Sequence, residues 1–594
     1  MKRLQEIDAG VLVGLFGPLT AYLVWWKLQR LRMLPEWPGW GLIDLLRPEL
    51  LLHAGLLVGF GALLARFAHR PRPVRAALAL SYLLLGAVEF LCHSHFTTSG
   101  AAMDAGLFAY ALQNLDGLGA AFGDLSLGVA AVGGLVLLAP LPWLLSRPAE
   151  LAPASGMGRF GALSALLLAL SLLPPISTTV PRSVARHSVG HLLLTVGREA
   201  PVPLDAPAWS EPSITWKPTT NLVIISLESV RYSATSLDDP ARGVTPALAE
   251  LASRGLSATH AYANMPHSTK AMVPMLCGIP PDPVLRVHES SSLPLSCLPA
   301  RLRERGYRTV HFRSATEHFE NWRGLCDQLG FEDFVPPEEL ETEGFEQANY
   351  FGYEDDILLD PISAWLDEEP ERPFFAFVLA GTPHHDYQVP ARPGEERTWN
   401  DQDELFDSYL RAVNYTDGFV RQLMERLEER GRLEDTIVLI VGDHGEGFGE
   451  HLPRQHNTNP YEEGLRVPLV LFGPGIPVGV IQEPVSHLDL LPTLVQALGG
   501  ELDGELQGLS LLQPIPERNV FASCWYNARC LVRWRGQDKH IHHFGDLPDQ
   551  RFDLLLDPLE RRPLQADPEA IQELMTWYRT TRGRWQASAR QPAP

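Results

Sequence analysis

Apolar positions crowd the first 180 residues, while polar ones interleave with short apolar runs in the rest, so the two parts predict different elements. Five stretches in the first part, near 9–26, 49–67, 76–94, 124–145 and 158–177, are apolar over lengths suited to helices that cross about 30 Å of hydrocarbon. They predict an all-α transmembrane domain of five helices over residues 1–180. Trp25, Trp26, Trp37 and Trp40 flank the first stretch as interfacial aromatics do. That stretch ends at Lys27 without an A-x-A-like site, which favours an anchor over a cleaved signal. With the N-terminus inside, Lys2, Arg3, Arg66, Arg70, Arg72, Arg75, Arg147 and Arg159 fall on the cytoplasmic side, and the 95–123 loop carries no Lys or Arg. The 27–47 loop, with Lys27, Arg30, Arg32 and Arg47, runs against this orientation. Five crossings from that start leave the remaining chain extracytoplasmic, at a plasma (inner) membrane.

Residues 181–216 are rich in Pro, Ser and Arg and read as a juxtamembrane linker. Over 217–594, continuous apolar runs predict buried strands at Asn221–Leu227, Phe374–Leu379, Thr436–Val441 and Val467–Phe472. Helical periods cover 246–255 and 405–429. The alternation predicts an α/β domain with a largely parallel sheet covered by helices on both faces. Ligands of such sheets gather at the carboxyl ends of the strands.

Charge narrows the function classes. The net charge of -22 lies mostly downstream, which excludes nucleic-acid binding driven by phosphate neutralisation. Six cysteines without a C-x-x-C pair exclude a zinc ribbon. Cys277 and Cys297 are a candidate pair if their region is extracytoplasmic.

The chemistry sits after the predicted strands. Glu228 and Ser229 follow the first; Gly442, Asp443, His444, Gly445 and Glu446 follow the third. Glu228, Asp443 and His444 offer oxygen and nitrogen donors suited to Zn²⁺ or Mn²⁺. Adjacent strand residues point to opposite faces, so Asp443 and His444 share one ion only if the chain turns there, which the flanking glycines would permit. Pro266-His267-Ser268-Thr269-Lys270-Ala271-Met272 opens a predicted helix, where free N–H groups can receive an ester's anionic oxygens; an ordinary Ser or Thr cap reads the same way. His384 follows the second strand, and His451 and His456 lie in the loop after Asp443, placed for phosphate binding or proton transfer.

Residues 217–565 resemble the sulfatase-type branch of the alkaline phosphatase superfamily. The resemblance rests on Gly442–Glu446, Gly449-Glu450-His451, Tyr461–Pro468, His487–Thr493, Phe552-Asp553-Leu554 and Asp557-Pro558-Leu559-Glu560, with Thr245-Pro246 and Cys277-Gly278 in order. It departs from true sulfatases in two places. Glu228-Ser229 replaces paired aspartates, and no cysteine stands at the nucleophile position. Both departures are similar to the membrane-anchored lipoteichoic acid synthases and lipid A phosphoethanolamine transferases.

That resemblance implies a sulfatase/alkaline-phosphatase-like sandwich behind five transmembrane helices, a divalent Zn²⁺ or Mn²⁺, and a lipid or ester substrate at the membrane surface. It implies Glu228, Asp443 and His444 as metal ligands, and His384 and His456 as substrate-phosphate or second-metal groups. Arg323, in Asn321-Trp322-Arg323, would correspond to a head-group-binding arginine, and Lys270 would help stabilise developing charge. Counting back from Gly278 selects Ser268 as nucleophile, and the T-x-x-x-V-P pattern selects Thr269. The implied function is phosphotransfer from a lipid donor, with sulfuric or phosphoric ester hydrolysis as the alternative.

Overall fold

The runs at 221–227, 374–379 and 436–441 form the centre of an eight-stranded sheet in the computed structural model. It describes residues 21, 24–30, 32–34, 41–66, 71–113, 157–174, 180–197, 201–215, 220–283, 293–390, 398–399, 402–525 and 529–590. The strands are β1 (Asn221–Leu227), β2 (Leu256–Ala258), β3 (Arg308–Arg313), β4 (Asp333–Val335), β5 (Phe374–Ala380), β6 (Thr436–Gly442), β7 (Leu469–Phe472) and β8 (Gly479–Ile481). Their order is β8-β2-β7-β6-β1-β5-β3-β4, with β7 alone antiparallel to its neighbours. Every residue of β1, β5 and β6 is buried. Alternate residues feed two cores: Leu222, Ile224, Phe375, Phe377, Ile437 and Leu439 on one face, Val223, Ile225, Ala376, Val378, Val438 and Ile440 on the other. The first face receives the helices α1 (Ser268–Cys277) and α2 (Trp322–Leu329); the second receives α3 (Glu404–Glu429).

The expected strand Val467–Phe472 is divided. Val467 pairs with Ala261 in a small three-stranded sheet, and the strand in the main sheet starts at Leu469. Pro468, between them, has no N–H to contribute to either ladder. A second sheet, β9 (Asn519–Ser523), β10 (Leu531–Arg535), β11 (Asp538–His542), β12 (Gln550–Asp553) and β13 (Leu564–Gln565), is an antiparallel meander against α4 (Pro568–Ser588). Within it Lys539 is fully buried, its Nζ 2.7 Å from Glu560 Oε1 and 3.0 Å from Glu462 Oε1. Removing the cation would leave two carboxylates facing each other, with only the Arg466 charge still acting on Glu462. Lys539→Met is therefore expected to destabilise the protein by about 3–5 kcal/mol, read from the denaturant midpoint; an unshifted midpoint would contradict that role.

The described chain divides into two compact units: Met1–Glu199 with Gly449–Arg454 and Gly545–Pro548, and Ala200–Phe448 with Gln455–Phe544 and Asp549–Pro594. In the first unit, the stretches 49–67, 76–94 and 158–177 fall largely in the helices Gly41–Arg66, Pro71–Ser99 and Met157–Ser171. The stretch 124–145, and 9–26 apart from a few residues, lie outside the described residues. Among the described residues no helix is long and apolar enough to cross a membrane. In this unit Lys27 is paired with Glu49 at 3.4 Å. The 181–216 stretch carries the helices Arg182–Ala185 and Ser188–Thr195, the second capped by His187 Nδ1, which accepts from Gly190 N. Cys277–Cys297 forms a disulfide, and so does Cys524–Cys530, which the sequence reading did not pair.

Candidate active site

β1 and β6 lie side by side in register, Leu227 opposite Gly442, so Glu228 and Asp443 leave the sheet together. The chain turns at Ser229, whose φ of 59° is left-handed. That turn lets Ser229 N donate to Asp443 Oδ1 at 2.9 Å, beside His444 N at 2.7 Å. The flanking glycines serve a different purpose from the one expected. Neither Gly442 nor Gly445 has a positive φ; instead a Cβ on Gly445 would lie 2.1 Å from Glu463 O, and one on Gly442 2.7 Å from Val230 O. They allow close backbone approach.

With Oδ1 fixed, Asp443 Oδ2 is buried and has no hydrogen-bond donor among the described residues. His444 Nδ1 lies 3.0 Å from Gly445 O, which holds the ring with Nε2 toward the acids, 3.4 Å from Glu228 Oε1 and 3.5 Å from Asp443 Oδ2. The donor atoms of Glu228, Asp443 and His444 all lie within 4.8 Å of one another. Donors so spaced can close on one ion at bonds of roughly 2.0–2.3 Å, and the orphaned Asp443 oxygen is the atom such an ion would satisfy. The residues fit a divalent cation.

α1 delivers the hydroxyl. Ser268 is its first residue, and Ser268 Oγ donates to Glu228 at 2.9 and 3.1 Å and lies 3.3 Å from His444 Nε2. Thr269 points elsewhere: it is wholly buried and its Oγ1 meets His267 Nδ1 at 3.1 Å. α1 then runs unbroken through Pro274 to a left-handed Gly278. Lys270 is buried too, its Nζ donating to Asp282 O at 3.4 Å. Arg323 is held by Glu317 and Glu339, each at 2.6 Å, on a half-exposed surface.

A second cluster adjoins the first, and sequence reasoning assigned only part of it. His385, Glu446 and His456 each offer a donor atom within 4.8 Å of the others. Glu446 Oε2 lies 3.4 Å from His456 Nδ1 and 3.7 Å from His385 Nδ1. The His456 ring stands 4.0 Å from that of His444. His384, the residue expected here, packs its ring 4.0 Å from His385 and bonds His385 O through Nδ1. Tyr350 OH bonds His385 Nε2. Glu446 stands inside the Gly442–Glu446 motif and His385 directly after His384, so their positions were visible while their roles were not.

The electrostatics follow from burial. Burial raises the Asp443 carboxyl, and the Glu228 charge adds to that. Burial also opposes the Glu228 charge, but the hydrogen bond and charge of His444 outweigh it and hold Glu228 well below the usual carboxylate range. Burial disfavours the His444 cation, yet Asp443 and Glu228 together lift it to about 9. Burial, then the charge of His444, lowers His456 to about 4 against the pull of Glu446. A cation entering this site competes with the His444 proton, which is bound below pH 9. Its apparent affinity is expected to weaken as pH falls from 9, by up to about tenfold per unit for each proton displaced. Calorimetric titration in buffers of different ionisation enthalpy checks this; affinity flat between pH 6 and 9 would contradict it.

The sulfatase family profile matches residues 220–500, the span holding Glu228, Ser268, His384, His385, Asp443, His444, Glu446 and His456. That match covers residues 220–500, a little under half of the chain. The family read from the Gly442–Glu446 and His487–Thr493 motifs is thus the one the profile finds. Choline-sulfatase of Rhizobium meliloti (strain 1021) is 34% identical over 187 residues, 30% of this chain and 36% of the relative. The lipoteichoic acid synthase-like YvgJ of Bacillus subtilis (strain 168) is 21% identical over 308 residues, 48% of each chain. The chain thus spans less than half the length of either relative. The crystal structure of the lipoteichoic acid synthase LtaP from Listeria monocytogenes superposes with a TM-score of 0.51 at 17% identity, covering 62% of this chain and 91% of that one. At that identity the likeness is one of fold, and the sulfatase-type domain shares its largely parallel central sheet.

Proposed function

We propose that this protein is a membrane-anchored, metal-dependent phosphotransferase that moves a phospho-alcohol head group from a lipid donor to an acceptor hydroxyl through a covalent intermediate on Ser268. The observation that carries the reading is Ser268 Oγ at the start of α1, hydrogen-bonded to Glu228 and beside His444. Glu228, Asp443 and His444 would hold the cation, Zn²⁺ or Mn²⁺, since carboxylates and imidazole suit both. Bound there, a divalent cation favours the alkoxide of a neighbouring hydroxyl and offsets charge gathering on the phosphoryl oxygens.

Ser268 Oγ attacks phosphorus, its proton passing toward the Glu228 carboxylate that already accepts it, as the bond from phosphorus to the donor's alcohol oxygen breaks. The free N–H groups of the first turn of α1 face the phosphoryl oxygens. His384 and His456, kept neutral by burial, gain basicity when an anion arrives beside them; protonated His456 can then supply the leaving alcohol's proton. An acceptor hydroxyl gives its proton to the now neutral His456 and attacks the same phosphorus; the bond to Ser268 Oγ breaks and that oxygen takes back the proton held by Glu228. His385 and Glu446 complete a pocket for a phosphoryl group or a second cation.

The apolar stretches of the first 180 residues support five-helix anchoring in the plasma membrane, and the two disulfides of the second unit support an extracytoplasmic catalytic domain. Anchoring favours a lipid-borne donor. The likeness to choline-sulfatase favours a second reading, hydrolysis of a sulfate or phosphate ester with water as acceptor. A chromogenic aryl phosphodiester and an aryl sulfate, each turned over with and without an added alcohol, separate the two. Phosphodiester cleavage with phosphoryl transfer to the alcohol is expected; sulfate release unaffected by alcohol would overturn the transferase reading.

A further inference from the structure

Arg313 is buried with two of its guanidinium nitrogens, Nε and Nη1, lacking a hydrogen-bond partner among the described residues. It ends β3, where it lies opposite Leu379 of β5, which in turn lies opposite Ser226 of β1, two residues before Glu228. His311, on the same side of the strand, packs among Trp322, Phe331, Phe334 and Phe377, in the core that receives α1. The Arg313 guanidinium extends from that face over the Trp322 ring at 3.9 Å. It is 5% exposed, and neither Nε nor Nη1 has a hydrogen-bond partner. The carboxylate acting on it most strongly is Glu228, which accepts from Ser268; Glu320, whose Oε1 lies 3.0 Å from His267 Nε2, also acts on it. His267 immediately precedes Ser268. Arg313 thus ends a strand at the ligand-binding edge of the sheet, its guanidinium within electrostatic reach of Glu228 and Glu320 and with unmatched donors.

A buried charged donor without an acceptor is costly, and planar, weakly hydrated guanidinium is the side chain suited to taking an oxyanion from water. Neither nearby carboxylate is bonded to it. We propose that Arg313 binds the tetrahedral oxyanion of the substrate, its unmatched N–H groups donating to non-bridging oxygens of the ester presented to Ser268. This rests on the reading of Ser268 as the nucleophile and assigns the anion contact to Arg313, whereas Arg323 is already engaged by Glu317 and Glu339. The Trp322 face fixes the plane of the guanidinium, so a lysine at 313 keeps the charge and loses the geometry.

The test uses the full-length protein in detergent, loaded with Mn²⁺ or Zn²⁺, titrated with inorganic phosphate and separately with sulfate. Arg313→Met is expected to weaken binding of the preferred anion at least about tenfold, and Arg313→Lys less, with metal content by mass spectrometry unchanged. Turnover of the aryl ester should show KM raised more than kcat is lowered. If Arg313→Met does not fold, Arg313→Lys decides, with its fold checked by circular dichroism. Wild-type anion affinity in a folded, metal-loaded variant overturns the proposal. So does a wild-type protein that transfers groups through Ser268 yet takes up neither anion, and in that outcome the nucleophile stands while the Arg313 contact falls.

Discussion

Ser268→Ala is expected to lower turnover by at least about 10³-fold while leaving the fold and bound metal intact, because it removes the only atom proposed to bond to phosphorus. The hydroxyl donates to Glu228 at 2.9 Å, on the surface of the cluster rather than inside the core. Thr269→Ala is the matched control. It removes the contact with His267 Nδ1 at 3.1 Å and is expected to cost about 1 kcal/mol of stability, with turnover changed only a few-fold. Initial rates for the two purified variants, alongside their denaturant midpoints, check the pair. Full activity in Ser268→Ala, or a collapse in Thr269→Ala at normal stability, would reverse the assignment.

Stripping the metal should have the second large effect. Glu228 and Asp443 are buried carboxylates pressed together, with one imidazole between them. At a cation concentration one hundred times its dissociation constant, binding contributes about 2.7 kcal/mol, so chelation is expected to lower the melting temperature by roughly 3 °C in a unit of this size and abolish activity. Asp443→Asn keeps the shape and removes one charge. It should bind little metal, lack activity, and show no further drop in melting temperature when chelator is added. Differential scanning calorimetry with and without chelator reads both. A wild-type transition that chelator does not move would contradict the metal assignment.

The parts of the fold legible in the sequence were those buried on both faces. NLVIISL, FFAFVL and TIVLIV announce themselves because helices cover both sides of β1, β5 and β6, leaving no polar alternation. β3 is as buried but reads RTVHFR. Its polarity is absorbed by tertiary partners: Arg308 bonds Glu368 and the Trp365 carbonyl, and His311 Nδ1 meets Cys326 Sγ. The antiparallel meander β9–β13 escaped because its strands are only two to five residues long and mix exposed and buried positions, as in β12.

The site divides along the same line. Glu228, Asp443 and His444 were readable because each follows a readable strand. Ser268 and Thr269 were not separable, since the choice depends on where α1 begins, and that is set by extended His267 at φ -166°. The resemblance points to His384 after the second strand, whereas the donor that meets Glu446 and His456 belongs to its neighbour His385. Arg313 carried no signal beyond its residue type; its unmatched burial is a property of the folded chain.

The central claim is a covalent bond between Ser268 Oγ and the transferred group. Intact-mass analysis of the metal-loaded protein after incubation with membrane lipids, followed by peptide mapping, tests it most directly. The expected result is a single added phospho-alcohol mass on the peptide containing Ser268, absent in Ser268→Ala and lost on adding acceptor. An adduct mapped to Thr269 or any other side chain, or turnover with no adduct under conditions that slow its release, would contradict it.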